Sequence, residues 1–334
     1  MEERLNILCQ SSDYYAPFAG VMLTSLFENN KDMKQITVYL MTADMSEKNR
    51  GRFILLAKQY QREIKFLDTV KIDQILKSNC VPKYRNSYAT YYKIFALSII
   101  EDDIDRLIYL DSDMLVEGQL SELISWKLGD NALGMCIEAA PVKYRKIIQC
   151  DSETYYNAGM ILFDVKKWIK RNSMKKVIDH ITNIHSSYPF ADQDLLNIFF
   201  RGCISTIPQK YNVNSGILIY KDYRWWKESY GIQDYYSEKE FNLAKEHPIV
   251  LHCMATFGMR PWFIGNHPAQ NVWVNYMKSS PWNDFAMISN KCSIVNGIQL
   301  FLFKNISKRL FAFINRNCFY LTWRREARRL GILK

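Results

Sequence analysis

Short apolar runs and longer amphipathic stretches alternate along the first third of the chain. Residues 5–9, 36–41 and 63–67 are brief and apolar, which predicts strands. Residues 16–28 and 46–60 have helical spacing; Pro17 suits a first turn, Asn29-Asn30 a stop, and Ser46 an N-cap. A helix over 90–99 is predicted to lead into a buried strand at 107–110. Farther on, the pattern predicts helices over 120–126, 166–184 and 195–200, and strands over 132–136, 155–164, 204–207 and 249–251. This alternation predicts an α/β fold with a mainly parallel central sheet covered on both faces. Ligands of such sheets sit beyond the carboxyl ends of the strands. The polar loop Gln10-Ser11-Ser12-Asp13-Tyr14-Tyr15 follows the first strand and opens a helix, so it belongs to that edge.

The same edge receives Asp111-Ser112-Asp113, directly after the apolar run Arg106-Leu107-Ile108-Tyr109-Leu110. Carboxylates two residues apart share one face of a strand, and the bend at a strand end can converge them. Such a pair repels, and a divalent cation relieves the conflict: Mg²⁺ and Mn²⁺ favour oxygen ligands and often combine carboxylates with phosphate oxygens. The bland alternative is a turn, because Asp and Ser are common turn formers. Other residues carry similar pairs of readings. Gly159, inside an apolar strand, marks either a bulge or a close backbone approach. Asp192 is either the N-cap of the next helix or part of a site. His252, just past a strand, is either structural or a metal ligand. Arg260 suits a phosphate through two parallel hydrogen bonds, and Trp262 either stacks on a sugar or anchors its loop.

At 334 residues, with 48% hydrophobic and 23% charged, the chain can form one large globular domain or two small ones. Its net charge of +10 is uneven: residues 288–334 hold ten basic side chains against one acid, Glu326, and so carry +9. The body is near neutral, which argues against a nucleic-acid-binding surface there. The eight cysteines (Cys9, Cys80, Cys136, Cys150, Cys203, Cys253, Cys292, Cys318) form no C-x-x-C pair. Reduced thiols of a cytoplasmic protein are expected, rather than a disulfide frame or a zinc site. The N-terminal apolar run is too short for a secretory signal, and no stretch is long and apolar enough to span a bilayer.

From about residue 296, apolar clusters at 300–303, 310–314 and 319–321 alternate with Lys304, Lys308, Arg309, Arg316, Arg324, Arg325, Arg328 and Arg329. Aromatic and basic interleaving in a helical stretch is the pattern of an interfacial helix on anionic lipid. Other readings are a helix packed on the body, a dimer contact, or RNA binding; no stacking platform or basic groove elsewhere supports the last.

Five motifs in order resemble glycosyltransferase family 8, which includes bacterial lipopolysaccharide α-galactosyl- and α-glucosyltransferases and the glycogenins. They are the polar loop ending in Tyr15, the run 106–113, Tyr156-Asn157-Ala158-Gly159, Asp192-Gln193-Asp194, and His252 before Arg260-Pro261-Trp262. The resemblance covers residues 5 to 265. It implies a GT-A (Rossmann-like) fold, a UDP-sugar donor, Mn²⁺ or Mg²⁺, and retention of anomeric configuration. By resemblance Asp111, Asp113 and His252 bind the metal. Gln10, Ser11, Ser12, Asp13 and Tyr15 hold the uridine, with Tyr15 stacking on uracil. Lys93, Ser112, Gly258 and Arg260 belong to the donor site, and Asn157 and Asp192 face the donor sugar. Gln193 matches the residue that acts either as nucleophile or as stabiliser of the sugar cation. Three departures stand out: Ser12 where the family usually has an acid, with Asp13 beside it; Lys93 for Arg and Arg260 for Lys; and a segment 252–261 about two residues longer than usual, which bears on the match of Gly258.

The resulting expectation is a transferase domain over 1–285 and a basic amphipathic tail over 286–334 that holds it at the inner face of the cell membrane. It would move galactose or glucose from a UDP-hexose to a saccharide or lipid-linked glycan of the cell envelope, with no nucleic-acid partner. Gln193 is an amide and a poor nucleophile, which favours front-face attack over double displacement, with Asp192 left as an alternative nucleophile. Two other classes compete. A phosphotransferase or phosphatase using Asp111 would want a hydroxyl soon after the second Asp, where Met114-Leu115-Val116 supplies none. A non-catalytic nucleotide-sugar-binding protein on a degenerate transferase scaffold is compatible with Ser12, but leaves the three metal ligands without a role.

Overall fold

The structure, a computed structural model, is described for residues 4–150, 154–184, 188–289 and 293–333; Cys292, the tail positions 290–292 and 334, and the side chain of Phe319 lie outside the described residues. The first half alternates strand and helix: β1 (Arg4–Gln10), α1 (Ala16–Asn29), β2 (Gln35–Thr42), α2 (Glu47–Tyr60), β3 (Glu63–Asp68), α3 (Val70–Ser78), α4 (Tyr92–Phe95) and β4 (Arg106–Leu110). There follow β5 (Met114–Val116), α5 (Ser121–Ile124), β6 (Leu133–Ile137), α6 (Val142–Ile147), β7 (Tyr156–Asp164), α7 (Val165–Lys170), α8 (Ser173–Ile184) and α9 (Ala191–Phe199). The rest comprises β8 (Ile204–Thr206), β9 (Val213–Asn214), α10 (Tyr223–Tyr230), α11 (Glu238–Glu246), β10 (Val250–His252), α12 (Gln270–Ser279), α13 (Ile294–Asn305) and α14 (Lys308–Arg329).

Seven strands form the central sheet in the order β3-β2-β1-β4-β7-β6-β8. All neighbours run parallel except β7, which is antiparallel to both β4 and β6. Both faces are buried, so successive residues of one strand feed different cores. On β4, Ile108 and Leu110 pack with Leu5, Ile7 and Phe27, while Leu107 and Tyr109 pack with Leu8, Ile161 and Trp168. A smaller sheet, β5-β10-β9, stands beyond the carboxyl end of β4. The chain crosses from one sheet to the other through Asp111-Ser112-Asp113.

Several predicted helices are reshaped. The segment 90–99 is only the single turn α4 between two 3₁₀ turns, Ala89–Tyr91 and Ala96–Ser98. Residues 91–96 are buried on every side, so no one apolar stripe imposes regular helix there. The segment 166–184 is two helices, broken at Asn172, whose φ of 51° is the left-handed conformation that ends helices. The helix of 120–126 shrinks to α5. Asp192 is not an N-cap: α9 starts at Ala191, and its cap position is Phe190. Ser46 does cap α2, accepting from Asn49 N.

The tail helices lie against the body. α14 packs on α10 and α6, burying Phe311, Ala312, Asn315 and Ala327. Among the described residues no helix is long and apolar enough to cross a membrane.

Near its other end the core closes on Trp282, 1% exposed, whose indole N–H donates to Asn49 Oδ1 at 2.9 Å. A Cβ at Gly20 of α1 would lie 2.1 Å from that ring. Gly20→Ala should therefore destabilise the protein by ~1–2 kcal/mol, because overpacking outweighs the ~1 kcal/mol of helix propensity that alanine adds. Thermal unfolding would show a melting point several degrees lower; a higher one would mean that the ring yields freely.

Candidate active site

The crossing between the sheets brings three ligating side chains together. Asp111 leaves β4 with its N–H donated to Gly159 O on β7 at 2.8 Å. Asp113 enters β5, and its carbonyl accepts from Cys253 N at 2.8 Å. Because β10 runs antiparallel to β5, His252 stands opposite Met114, one residue from Asp113. Ligand atoms of Asp111, Asp113 and His252 all lie within 4.8 Å of one another. His252 Nε2 is 3.2 Å from Asp113 Oδ1 and 4.0 Å from Asp111 Oδ2. Its other nitrogen, Nδ1, is 3.1 Å from Asn212 Oδ1, and Asn212 Nδ2 donates to Asn157 Oδ1 at 2.7 Å. That orientation of the amide assigns the proton to Nδ1 and leaves Nε2 facing the carboxylates. Gly159 makes room for the ring: a Cβ there would fall 2.5 Å from His252 Cε1. Both readings of this glycine hold: it admits the ring, and it lies in the β7 bulge, where the pairing with β6 skips from Met135–Ile161 to Cys136–Asn157.

Half-buried carboxylates this close do not both ionise without help. Burial raises the pKa of Asp111, Lys93 pulls it back, and Asp113 adds to the rise; the net shift is upward. Burial would raise Asp113 too, but His252 and Arg260 hold it well below the usual carboxylate range. Burial acts to lower the pKa of His252, and Asp113 more than reverses this. Lys93, 6% exposed, is 3.3 Å from Asp111 and 2.9 Å from Asp192, and its charge is kept by both acids against the cost of burial. Arg260 pairs with Asp113 and donates to Cys253 O at 2.7 Å. Two carboxylates and an imidazole with its second nitrogen tethered are a donor set that fits Mn²⁺ or Mg²⁺.

A cavity of about 530 Å³ opens beside this cluster, lined by Gln10, Ser11, Ser12, Tyr15, Asp111, Ser112 and Asp113. Ser112 Oγ donates to Gln10 O, locking the first polar loop to the Asp triplet. Tyr15 is 46% exposed at its rim. Asp13 does not line this cavity: its Oδ1 accepts from the Ser46 hydroxyl, from Asn49 Nδ2 and from Ser46 N, which together pull its pKa down. An acid of this region that does line the cavity is Asp44, just past the end of β2. Sequence reasoning passed over it, although the strand-end rule that singled out Asp111 applies equally there.

A second cavity of about 510 Å³ holds Gln193 and Gly258 in its wall, along with Glu138. Gln193 Oε1 accepts from Ala158 N at 3.1 Å, and its Nε2 donates to Tyr155 Oη at 3.2 Å. Asp192 sits between Lys93 and the Thr90 hydroxyl. Asn157 is buried, with Oδ1 accepting from Gly159 N and its amide donating to Glu138. The sequence reading gave no role to Asp194 of the Asp192-Gln193-Asp194 motif, which is fully buried under Tyr144, Tyr155 and Phe190 N, whose bonds it accepts; burial lifts its pKa to about 6 despite those bonds. It anchors the start of α9, and hence Gln193.

A family model described as Glycosyl transferase family 8 matches residues 6–264. General stress protein A of Bacillus subtilis (strain 168) is 25% identical over 288 residues, 84% of this chain and 96% of that protein. A Lipopolysaccharide 1,2-glucosyltransferase of Escherichia coli (strain K12) is 24% identical over 287 residues, 84% of this chain and 80% of that one. Among solved structures, the galactosyltransferase LgtC in complex with donor and acceptor sugar analogs shares the fold, with a TM-score of 0.64 at 23% identity over 83% of this chain and 96% of that chain. The family match takes in Asp111, Asp113, His252 and Arg260, and the chain belongs to glycosyl transferase family 8.

Proposed function

We propose that this protein is a retaining, metal-dependent hexosyltransferase that takes galactose or glucose from a UDP-sugar and adds it to a saccharide or lipid-linked glycan of the cell envelope. The observation that carries this reading is the convergence of Asp111, Asp113 and His252 at the edge of the 530 Å³ cavity. Bound there, Mn²⁺ or Mg²⁺ would supply Lewis-acid stabilisation of the negative charge that builds on the departing diphosphate. The chain's own residues do the rest. Tyr15 offers a ring face to the uracil, and Asp44 offers a carboxylate to its imide N–H. Arg260 and Lys93 are fixed cations for the diphosphate side. Both oxygens of Asp192 are engaged, by Lys93 and Thr90, which makes it a poor nucleophile. Gln193 is held by Ala158 and Tyr155, so its amide can stabilise the cation-like sugar without bonding to it. Both facts favour front-face attack, with the leaving phosphate taking the proton of the acceptor hydroxyl.

In this reading residues 1–285 are the transferase and 286–334 its attachment to the membrane surface. Support comes from α13, none of whose residues is buried, and from exposed Ile294, Val295, Ile298 and Phe301 beside a tail carrying most of the net charge. Apolar side chains with basic neighbours suit anionic lipid.

Three measurements test this. Calorimetric titration of UDP should show binding that requires Mn²⁺ and that falls at least tenfold in Asp113→Ala; equal binding in both proteins would sink the metal reading. Asp44→Asn should weaken UDP binding by roughly ten- to a hundredfold, the ~1.5–3 kcal/mol of a charged hydrogen bond, and Asp13→Asn should not; the reverse ranking would restore Asp13 as the uracil contact. Sedimentation with phosphatidylglycerol vesicles should carry the protein down in a salt-sensitive way, and replacing Ile294, Val295, Ile298 and Phe301 with Ser should leave it in the supernatant. A wild-type chain that ignores such vesicles would refute attachment through the tail.

A further inference from the structure

The second cavity has the transferase core on one side and the two C-terminal helices on the other, and those helices lie beyond the family match. α13 is two-sided. Ile294, Val295, Ile298 and Phe301 are exposed, whereas Asn296 and Gln299 are half-buried and line the cavity. A spacing of three puts these two amides on one helix face. Asn296 sits so close over Gly258 that a Cβ there would fall 2.0 Å from its Nδ2, and Gly258 adopts a φ of +75°. Gln299 Nε2 donates to Oδ1 of buried Asn315 in α14 at 2.7 Å, and Asn315 Nδ2 donates to Ser229 O in α10 at 2.9 Å. This relay holds the Gln299 amide in one orientation.

From α14, Trp323 reaches the same cavity, its ring centroid 4.2 Å from Phe190 and 5.5 Å from Tyr144. On the core side, Thr256 lines the cavity and is only 6% exposed, yet its hydroxyl has no hydrogen-bond partner among the described residues. A buried hydroxyl of this kind is unfavourable until a ligand supplies the missing bond. Gln193 stands in the same wall, next to the donor side.

We propose that the tail helices complete a second saccharide subsite. An acceptor of at least two sugar rings would place its reacting hydroxyl near Gln193. Its next ring would lie against Trp323, with its hydroxyls meeting Thr256, Asn296 and Gln299. An aromatic face suits the C–H-rich face of a sugar, and amides with a free hydroxyl suit its oxygens. The cavity's 510 Å³ falls inside the range of small-molecule sites, about 300–1,000 Å³. The proposal rests on the transferase reading above, and it gives the tail a part in acceptor choice as well as attachment.

Saturation-transfer NMR on the full chain with UDP and Mn²⁺ tests it, with glucose, maltose and lactose as probes. A disaccharide should bind roughly tenfold tighter than glucose, with signal on both rings. Trp323→Ala and Thr256→Val should each weaken the disaccharide about three- to tenfold and leave glucose unchanged, and Trp323→Phe should retain most of the affinity. Disaccharides no tighter than glucose, or disaccharide affinity unmoved by both Trp323→Ala and Thr256→Val, would overturn the subsite. UDP titration separates the two levels. Loss of metal-dependent UDP binding in the wild-type chain would defeat the transferase reading and the subsite with it. Intact UDP binding with unaltered saccharide affinities would defeat the subsite alone.

Discussion

Two half-buried carboxylates held side by side are the constraint around which this fold is arranged. At an effective dielectric near 20, two unit charges about 4 Å apart repel by roughly 4 kcal/mol, so the pair persists only with cations close by. The protein supplies three. Arg260 and His252 stand on Asp113, while Lys93 is divided between Asp111 and Asp192. Burial acts to raise the pKa of both acids, and the unequal distribution of cations reverses this for Asp113 but not for Asp111. Lys93 comes from one part of the chain and His252 and Arg260 from another, far in sequence from Asp111 and Asp113, so the site needs both halves of the body in place.

The change of sheet at the Asp triplet makes this arrangement cheap to build. β4 ends in the large sheet and β5 begins the small one, with only three residues between. The small sheet then returns His252 beside Asp113 through ordinary antiparallel pairing. No long loop has to be ordered to aim a ligand. The chief steric demand falls on Gly159, where any side chain would collide with the His252 ring.

Much of this was legible in the sequence because it depends on local signals. The apolar runs at 5–9, 36–41 and 107–110 became β1, β2 and β4, and the strand-end rule placed Asp111 and the first polar loop on one edge. The antiparallel direction of β7 was not legible, because a strand buried on both faces reads the same either way. Nor was the fragmented helix around Lys93, whose burial on all sides erases the 3.6-residue period. Asp13 and Asp44 show the limit most clearly. Both are acids in loops following strands, and only the tertiary contact of Asp13 with Ser46 and Asn49 shows that one of them is spent on bracing the start of α2, which Ser46 caps. Asn212 carried no spacing signal at all; its role follows from the small sheet, which sequence periodicity did not anticipate.

The polar contacts around His252 tie the two cavities into one rigid unit. From the imidazole Nδ1, hydrogen bonds pass to Asn212, then to Asn157, and from Asn157 to Glu138 in the wall of the second cavity. Each amide donates onward and accepts from behind, and buried polar chains of this kind are stable only when every member is satisfied. A shift of the metal-side histidine would therefore leave Asn212 or Asn157 unpaired at a cost of about 1–3 kcal/mol. The loop bearing Arg260 is braced separately, through Gly258 under Asn296 of the tail. The donor edge is thus held from the core by amides and from outside by α13. α13, which lies beyond the residues the family model matches, packs over Gly258 only two residues before the arginine that pairs with Asp113.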